Sequence, residues 1–452
     1  MRLHRIIGLF MTVILSACAT YMPQKLPTQV NLAKTASAIT VNPAQLTFRE
    51  FSAHIFNPID GLDSDEVAML AVVNNPQLRQ ARDGLGIARA QSFAAGLLPD
   101  PQLGITFDHP TNGSVGNTNA FNFAPSFDVN ALLLRSSRVS AAKADERRIN
   151  LGLLWQEWQV VSEARLLFTR IIAQQALFKH LQLTNNLLFD RYRQSQQALA
   201  AGNVTLDSVS ADLTALQNVG RQINELERSH LQNRASLSGL VGLAPDAPLD
   251  LVGDTIILEI DSNGVRTSLE KRLNQRPDIQ ALLEGYRSQE EKFRGAVMAQ
   301  FPALNIGVTR ARDTSGLYTL GFGLSLSLPI FNANRGNIAI EKTTRQKLFD
   351  EYQDRLNSAY SEISTALENL SLLQTQLQQT RQTVVELDKT ARQSKAAFVA
   401  GNMIASDYVR LQIALLDKQT EAINLQEAQM EQRIVLETLL GPDLPKLNRN
   451  IQ

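Results

Sequence analysis

The stretch Leu320-Gly321-Phe322-Gly323-Leu324-Ser325-Leu326-Ser327-Leu328-Pro329 decides the architecture. Large apolar residues take every second position, and glycine, serine and a final proline fill the positions between them. Strand side chains point alternately to two faces, so this run has one apolar face and one lined by small groups. A tilted strand of about ten residues is long enough to cross a bilayer. Just upstream, Leu304, Ile306 and Val308 alternate likewise and lead into the turn-forming Arg312-Asp313-Thr314-Ser315-Gly316. Strands are predicted at about 303–311 and 318–330.

The same pattern stands in the first half. Leu103, Ile105 and Phe107 alternate with Gly104, Thr106 and Asp108, and Phe121, Phe123 and Phe127 form a second run interrupted by Pro125. Strands are predicted at about 102–108 and 120–129, joined by a loop that begins His109-Pro110-Thr111-Asn112-Gly113-Ser114. The duplication extends further. Asn75-Pro76-Gln77-Leu78 answers Arg276-Pro277-Asp278-Ile279, and Asp100-Pro101-Gln102-Leu103-Gly104-Ile105 answers Phe301-Pro302-Ala303-Leu304-Asn305-Ile306. Ala201-Gly202-Asn203 answers Ala400-Gly401-Asn402, and Leu240-Val241-Gly242 answers Leu439-Leu440-Gly441. Four anchors in one order define an internal two-fold repeat, residues 61–243 and 265–441, with a linker at 244–264 and a tail at 442–452.

Around each strand pair the sequence is helical. Asp63 to Leu98 has helical spacing and stops before Pro99 and Pro101. From Leu133 to Ala200 there is no proline, and a helix of that length approaches 100 Å at about 1.5 Å per residue. A second long helix is predicted from Arg335 to Ala400. The return segments carry heptad seams: Leu206, Val209, Leu213 and Leu216 in one, Val409, Ile413, Leu416, Thr420, Ile423, Glu427, Met430 and Ile434 in the other. The linker includes a candidate short strand from Thr255 to Ile260.

The N-terminus reads as a processing signal, residues 1–17. Arg2 and Arg5 precede an apolar stretch, Ile6 to Leu15, that is too short to span a bilayer. Leu15-Ser16-Ala17-Cys18 then resembles a bacterial lipobox and uses the only cysteine. The two readings are acylation at Cys18, with residues 18–60 as a lipidated extended arm, or a plain secretory signal cut nearby. Ala19 after the cysteine, where an aspartate would mark inner-membrane retention, resembles lipoproteins of the outer membrane. One cysteine makes no internal disulfide. Lys and Arg together number 44, as do Asp and Glu, so no excess of positive charge speaks for nucleic acid.

Four strands cannot close on themselves, and an open edge in hydrocarbon leaves backbone groups unpaired. Two copies would give eight strands around a filled interior, and three give twelve with room for water. A small soluble sheet packed on the helices is the alternative. The duplicated helix–strand–strand–helix plan, Leu328-Pro329-Ile330-Phe331 leading through Arg335-Gly336 into a long helix, and the two Ala-Gly-Asn breaks resemble the outer-membrane factor family of TolC-like ducts, in particular its lipidated efflux members.

That resemblance implies a mostly α fold with a membrane β-barrel: a homotrimer with twelve shared strands in outer-membrane lipid above a coiled-coil helical duct. It implies export of small molecules with a periplasmic adaptor (membrane fusion) protein and a proton-driven inner-membrane transporter, and no cofactor, metal or catalytic residue. Gly202 and Gly401 fall where the family meets its adaptor, or else simply end their helices. Asp407 falls where the family rings its closed periplasmic entrance with aspartates, while Arg410 stands where a second acidic residue would be. Asp407 either gates the entrance or caps the returning helix. The alternatives are a duct for type I protein secretion and a coiled-coil adhesive lipoprotein. An enzyme is not expected: the five histidines show no ligand spacing, and no GxSxG, HExxH or phosphate-loop pattern occurs.

Overall fold

The computed structural model describes residues 21–42, 46, 48, 51, 54–111, 116–253 and 261–441. Two copies of one plan follow each other. The first holds α1 (Ser64–Asn74), α2 (Pro76–Gly96), β1 (Gln102–Asp108), β2 (Ala120–Asp128), α3 (Val129–Ala200) and α4 (Leu206–Leu240). The second holds α5 (Ser262–Leu273), α6 (Pro277–Met298), β3 (Ala303–Arg312), β4 (Tyr318–Ser327), α7 (Arg335–Val399) and α8 (Ala405–Leu440). The strands form one antiparallel sheet in the order β1-β2-β3-β4.

Three boundaries differ from expectation. The single helix expected over Asp63 to Leu98 is two helices broken at Asn75, because the Pro76 ring disfavours helical backbone in the residue before it. Asn75 sits at φ −60°, ψ 125°, and its side chain accepts from the N–H groups of Gln77 and Leu78 at 2.9 and 3.0 Å. The last strand ends at Ser327 and not near 330. Pro329 has no N–H for a ladder, and Ile330 N–H folds back to the Leu328 carbonyl at 2.9 Å. The first long helix starts already at Val129, with Asp128 accepting from Ala131 N–H at 3.2 Å as its cap. The expected strand at Thr255 to Ile260, Cys18 with its leader, and the 442–452 tail lie outside the described residues.

The 72 residues of α3 reach about 108 Å and the 65 of α7 about 98 Å. α3 is the spine, packing on α1, α2, α4, α6, α8 and β3. Beside it, α1 is apolar all round and buried from Val67 to Val72, as such a helix must be. Phe48 and Phe51 of the arm, Trp158, Phe168 and Ile171 of α3, and Leu249 of the linker complete that core. A second core joins α5, α7 and α8 through Leu269, Ile363, Leu367 and Leu436. Two parallel bridges tie the arm to the end of the first repeat, Ala33–Leu243, and the linker to its start, Leu62–Leu251. The α8 seam is less one-sided than its heptads predict. Val409 is buried, but so are Leu415, Leu436 and Leu440 off that seam, because α8 packs on both α7 and α3.

Each repeat closes on itself in the same way. Asn75 Nδ2 donates to the Leu240 carbonyl at 3.1 Å, and its counterpart Arg276 donates through Nη1 to the Leu439 carbonyl at 2.8 Å. Arg276 is 1% exposed and stacks over Trp155 at 4.8 Å. It also grips Asp278 with two bonds of 3.0 and 2.8 Å, and Arg355 reaches the same carboxylate at 2.9 Å. Burial pushes the Asp278 carboxyl up, but hydrogen bonds and charge from Arg276 and Arg355 outweigh it and hold the group below its ordinary value. Replacing Arg276 by Ala is expected to cost about 3 kcal/mol, since it strips a half-buried carboxylate of its tightest partner. Asn75→Ala removes a cap and a carbonyl donor and is expected to cost about 1–2 kcal/mol. Thermal unfolding in detergent, followed by circular dichroism, ranks the two.

Where α8 crosses α3, Arg170 binds Glu431 at 2.5 Å. Glu427, one turn away, is pushed up to about 7 by burial and by the Glu431 charge, with Arg170 opposing. The folded state therefore holds a proton more readily than the unfolded chain, and stability falls as pH rises from about 4.5 to about 7. Glu427→Gln should raise the unfolding temperature at pH 8 and change it little at pH 4, measured in detergent at both values.

Candidate functional site

The sheet has two unlike faces. Register sets Ile105 beside Phe123, Phe127 beside Ile306, Val308 beside Phe322 and Leu304 beside Leu326, so one face is apolar across all four strands. In one protomer that face is bare: Leu320 is 78% exposed, Phe322 73% and Phe107 79%. The opposite face carries Gly104, Thr106, Asn122, Ser126, Asn305, Gly321 and Ser325. Gly307 is required there by close approach, since a β-carbon would stand 2.9 Å from the Pro125 carbonyl oxygen. Pro125 itself is tolerated in β2, whose paired residues toward β3 pass from Phe123–Arg310 to Ser126–Gly307 around it.

Among the described residues no strand lies beside the outer edges of β1 and β4, and the two strands run in opposite directions. An exposed apolar face of this extent, rimmed by polar turns, marks a surface made for lipid or for another chain. No helix among the described residues is long and apolar enough to cross a membrane.

The helical hairpins turn at Gly202 and Gly401, both at φ +74°, in the left-handed region that suits glycine. The two turns are built alike. Gly202 N–H donates to Leu199 O at 2.9 Å and Asn203 N–H to Ala198 O at 2.8 Å; Gly401 N–H donates to Phe398 O at 3.0 Å and Asn402 N–H to Ala397 O at 2.8 Å. A β-carbon on either glycine would meet nothing within 4 Å, so both glycines face open space. The returning helices differ at their starts. Thr205 caps α4 through Ser208 N–H, whereas Ile404 at the head of α8 offers no side-chain cap. Phe398 and Tyr408 stack across the second tip at 5.1 Å.

Asp407 lies in the first turn of α8, but the cap position belongs to Ile404, so the simple capping role fails. Its carboxylate instead accepts from Arg410 Nη2 at 2.9 Å, and both side chains are exposed. Arg410 thus pairs its charge with Asp407 one turn earlier on α8.

Two features escaped the sequence reading. His54, Asp63 and Glu66 converge, with one ligand atom from each inside a 4.8 Å span. The carboxylates are already engaged: Asp63 accepts from Asp65 and Glu66 N–H, Glu66 from Asn57 and Asp63 N–H, and His54 Nε2 meets Asp63 at 3.2 Å. This is a reinforced capping box pinning the arm to α1, assembled by the fold from residues without ligand spacing. The second is a pair of arginines, Arg310 and Arg312, on the otherwise apolar sheet face. The parity of Arg310 was legible, but Arg312, expected in the turn, belongs to the strand, and the neighbours of both depend on register.

Residues 269–442 match the family model described as outer membrane efflux protein. The probable outer membrane lipoprotein SilC of Salmonella typhimurium is 22% identical over 95% of this chain and 96% of its own. The cation efflux system protein CusC of Escherichia coli (strain K12) is 24% identical over 82% of this chain and 84% of its own. The crystal structure of the Campylobacter jejuni CmeC outer membrane channel superposes with a TM-score of 0.70 at 16% identity, covering 94% of this chain and 95% of the other. The second repeat thus matches the outer membrane efflux protein model, relatives align along both repeats, and the fold is that of the CmeC outer membrane channel.

Proposed function

We propose that three copies of this chain close one twelve-stranded barrel in the outer membrane and continue it as a helical duct through the periplasm, the exit component of a tripartite efflux system. The observation that carries this is the bare apolar sheet face bounded by two free edges of opposite direction. β4 of one copy can pair with β1 of the next and keep the sheet antiparallel, which satisfies every backbone group in lipid. Three copies leave a water-filled bore lined by the small and polar face. Acylation at Cys18 anchors the arm, a reading supported by the lipoprotein name of SilC.

The cargo is small solutes, cations among them, as the name of CusC supports. A periplasmic adaptor meets the tips at Gly202 and Gly401, and a proton-driven inner-membrane transporter supplies the energy. On this reading the chain works without catalysis or cofactor. Asp407 from three copies rings the periplasmic entrance and binds cations, weakened by Arg410 beside it.

Purified protein in detergent should have a trimeric mass and give small, cation-blockable current steps in a planar bilayer. A monomeric mass with no current from folded protein would leave a coiled-coil lipoprotein instead. In the same bilayers, Asp407→Ala should relieve cation block and Arg410→Gln should deepen it. Block unchanged in Asp407→Ala would remove the gate while leaving the duct.

A further inference from the structure

The apolar face of the sheet changes character at one end. Leu304, Ile306 and Val308 share their parity in β3 with Arg310 and Arg312. Register places Arg310 between Phe123 and Leu320, and Arg312 between Phe121 and Tyr318. These rows are at the loop end of the sheet, the end remote from the long helices. The Arg312 guanidinium stands over the Tyr318 ring at 5.8 Å, and Phe121 meets the same ring edge-on at 6.2 Å. Arg312 Nε is buried and has no hydrogen-bond partner among the described residues.

Nearby carboxylates are committed elsewhere. Asp313 accepts from Ser315 Oγ at 2.7 Å and from the N–H groups of Ser315 and Leu317, both at 2.9 Å, and these bonds, the Ser315 hydroxyl first, hold its carboxyl below the ordinary value. Asp108 has the parity of the opposite face. Arg312 therefore stands beside aromatic rings with an unpaired Nε, and Arg310, exposed, lies between Phe123 and Leu320 in the register.

Position decides what they meet. From Leu320 to Leu326 the apolar run of β4 covers about 20 Å at 3.3 Å per residue, and Arg310 and Arg312 lie beside its outer limit and beyond it. A cation inside hydrocarbon is costly, whereas at its boundary an arginine lays its stem on the apolar face and extends its head to the interface. The guanidinium fork matches phosphate oxygens two at a time, and an aromatic ring behind it holds its plane. The Cα atoms of residues two apart on a strand are about 7 Å apart, a spacing that lets both forks hold one phosphorylated headgroup.

We infer that Arg310, Arg312 and Tyr318 form a binding site for the phosphate-bearing headgroup of an outer-leaflet lipid, one site per chain on the outer rim of the barrel. The inference rests on the barrel reading above.

The test uses delipidated, full-length trimer in detergent, titrated with a bisphosphorylated glycolipid or its dephosphorylated form and read by native mass spectrometry. Wild type should prefer the phosphorylated lipid. Arg310→Gln/Arg312→Gln should bind it at least about tenfold more weakly, and Arg310→Lys/Arg312→Lys should keep part of the preference. A trimeric double-Gln variant that retains full preference would overturn the site. Displacement of the lipid by millimolar inorganic phosphate alone would overturn the lipid assignment in favour of free phosphate. Wild-type protein that yields neither a trimer nor current steps would instead sink the barrel itself, a separate result.

Discussion

Helices end with carbonyls that nothing inside the helix can satisfy. In this chain one such carbonyl at the close of each repeat is answered by the residue that precedes a proline near the repeat's start. Asn75 answers Leu240, and Arg276 answers Leu439. The proline forces its predecessor out of helical geometry, and that freed residue bonds to the far end of the repeat. Long helices joined only along their sides could slide by a turn. A bond from the first helices to the last carbonyls sets where α4 and α8 must stop, and with them the height of both tips and of the sheet.

The two repeats solve this problem with different chemistry. Asparagine is neutral and also caps its own helix, so the first closure needs little around it. Arginine brings a charge into a site where it is almost fully covered, and counterions follow. Asp278 is shared with Arg355, which reaches on to Glu362 at 2.9 Å. Trp155 supplies the ring beneath Arg276, and Trp158, one turn along α3, donates to the Thr438 carbonyl and packs on Phe48 of the arm. The only two tryptophans of the chain thus fasten the second repeat and the arm to the spine of the first.

Much of this was legible in the order of residues. Alternation in Leu320 to Ser327 states which face is apolar, and the Asn75/Arg276 and Gly202/Gly401 matches state the duplication. Alternation and repetition are local signals, readable because strand and helix periods differ. What stayed hidden depends on contacts between distant segments. The break at Asn75 could have been read from Pro76 alone, but helical spacing on both sides masked it. The neighbours of Arg312 follow from a strand register that no single segment encodes. His54 meets Asp63 and Glu66 only because the arm folds back over α1. That Arg410 follows Asp407 by three residues was visible in the sequence, yet their contact is a matter of rotamer.

The tips share their turns but not their beginnings beyond the turn. Thr205 answers an open N–H of α4, while Ile404 leaves the first turn of α8 without that help. A missing cap is worth about 1 kcal/mol, borne by the first turn. The second hairpin is therefore the more compliant arm of a matched pair, able to unwind a turn at its end for less work. A mouth ringed by both kinds of hairpin would not yield evenly under load: alternate arms would give way first, and motion at the opening would be three-fold even where the outline is six-fold.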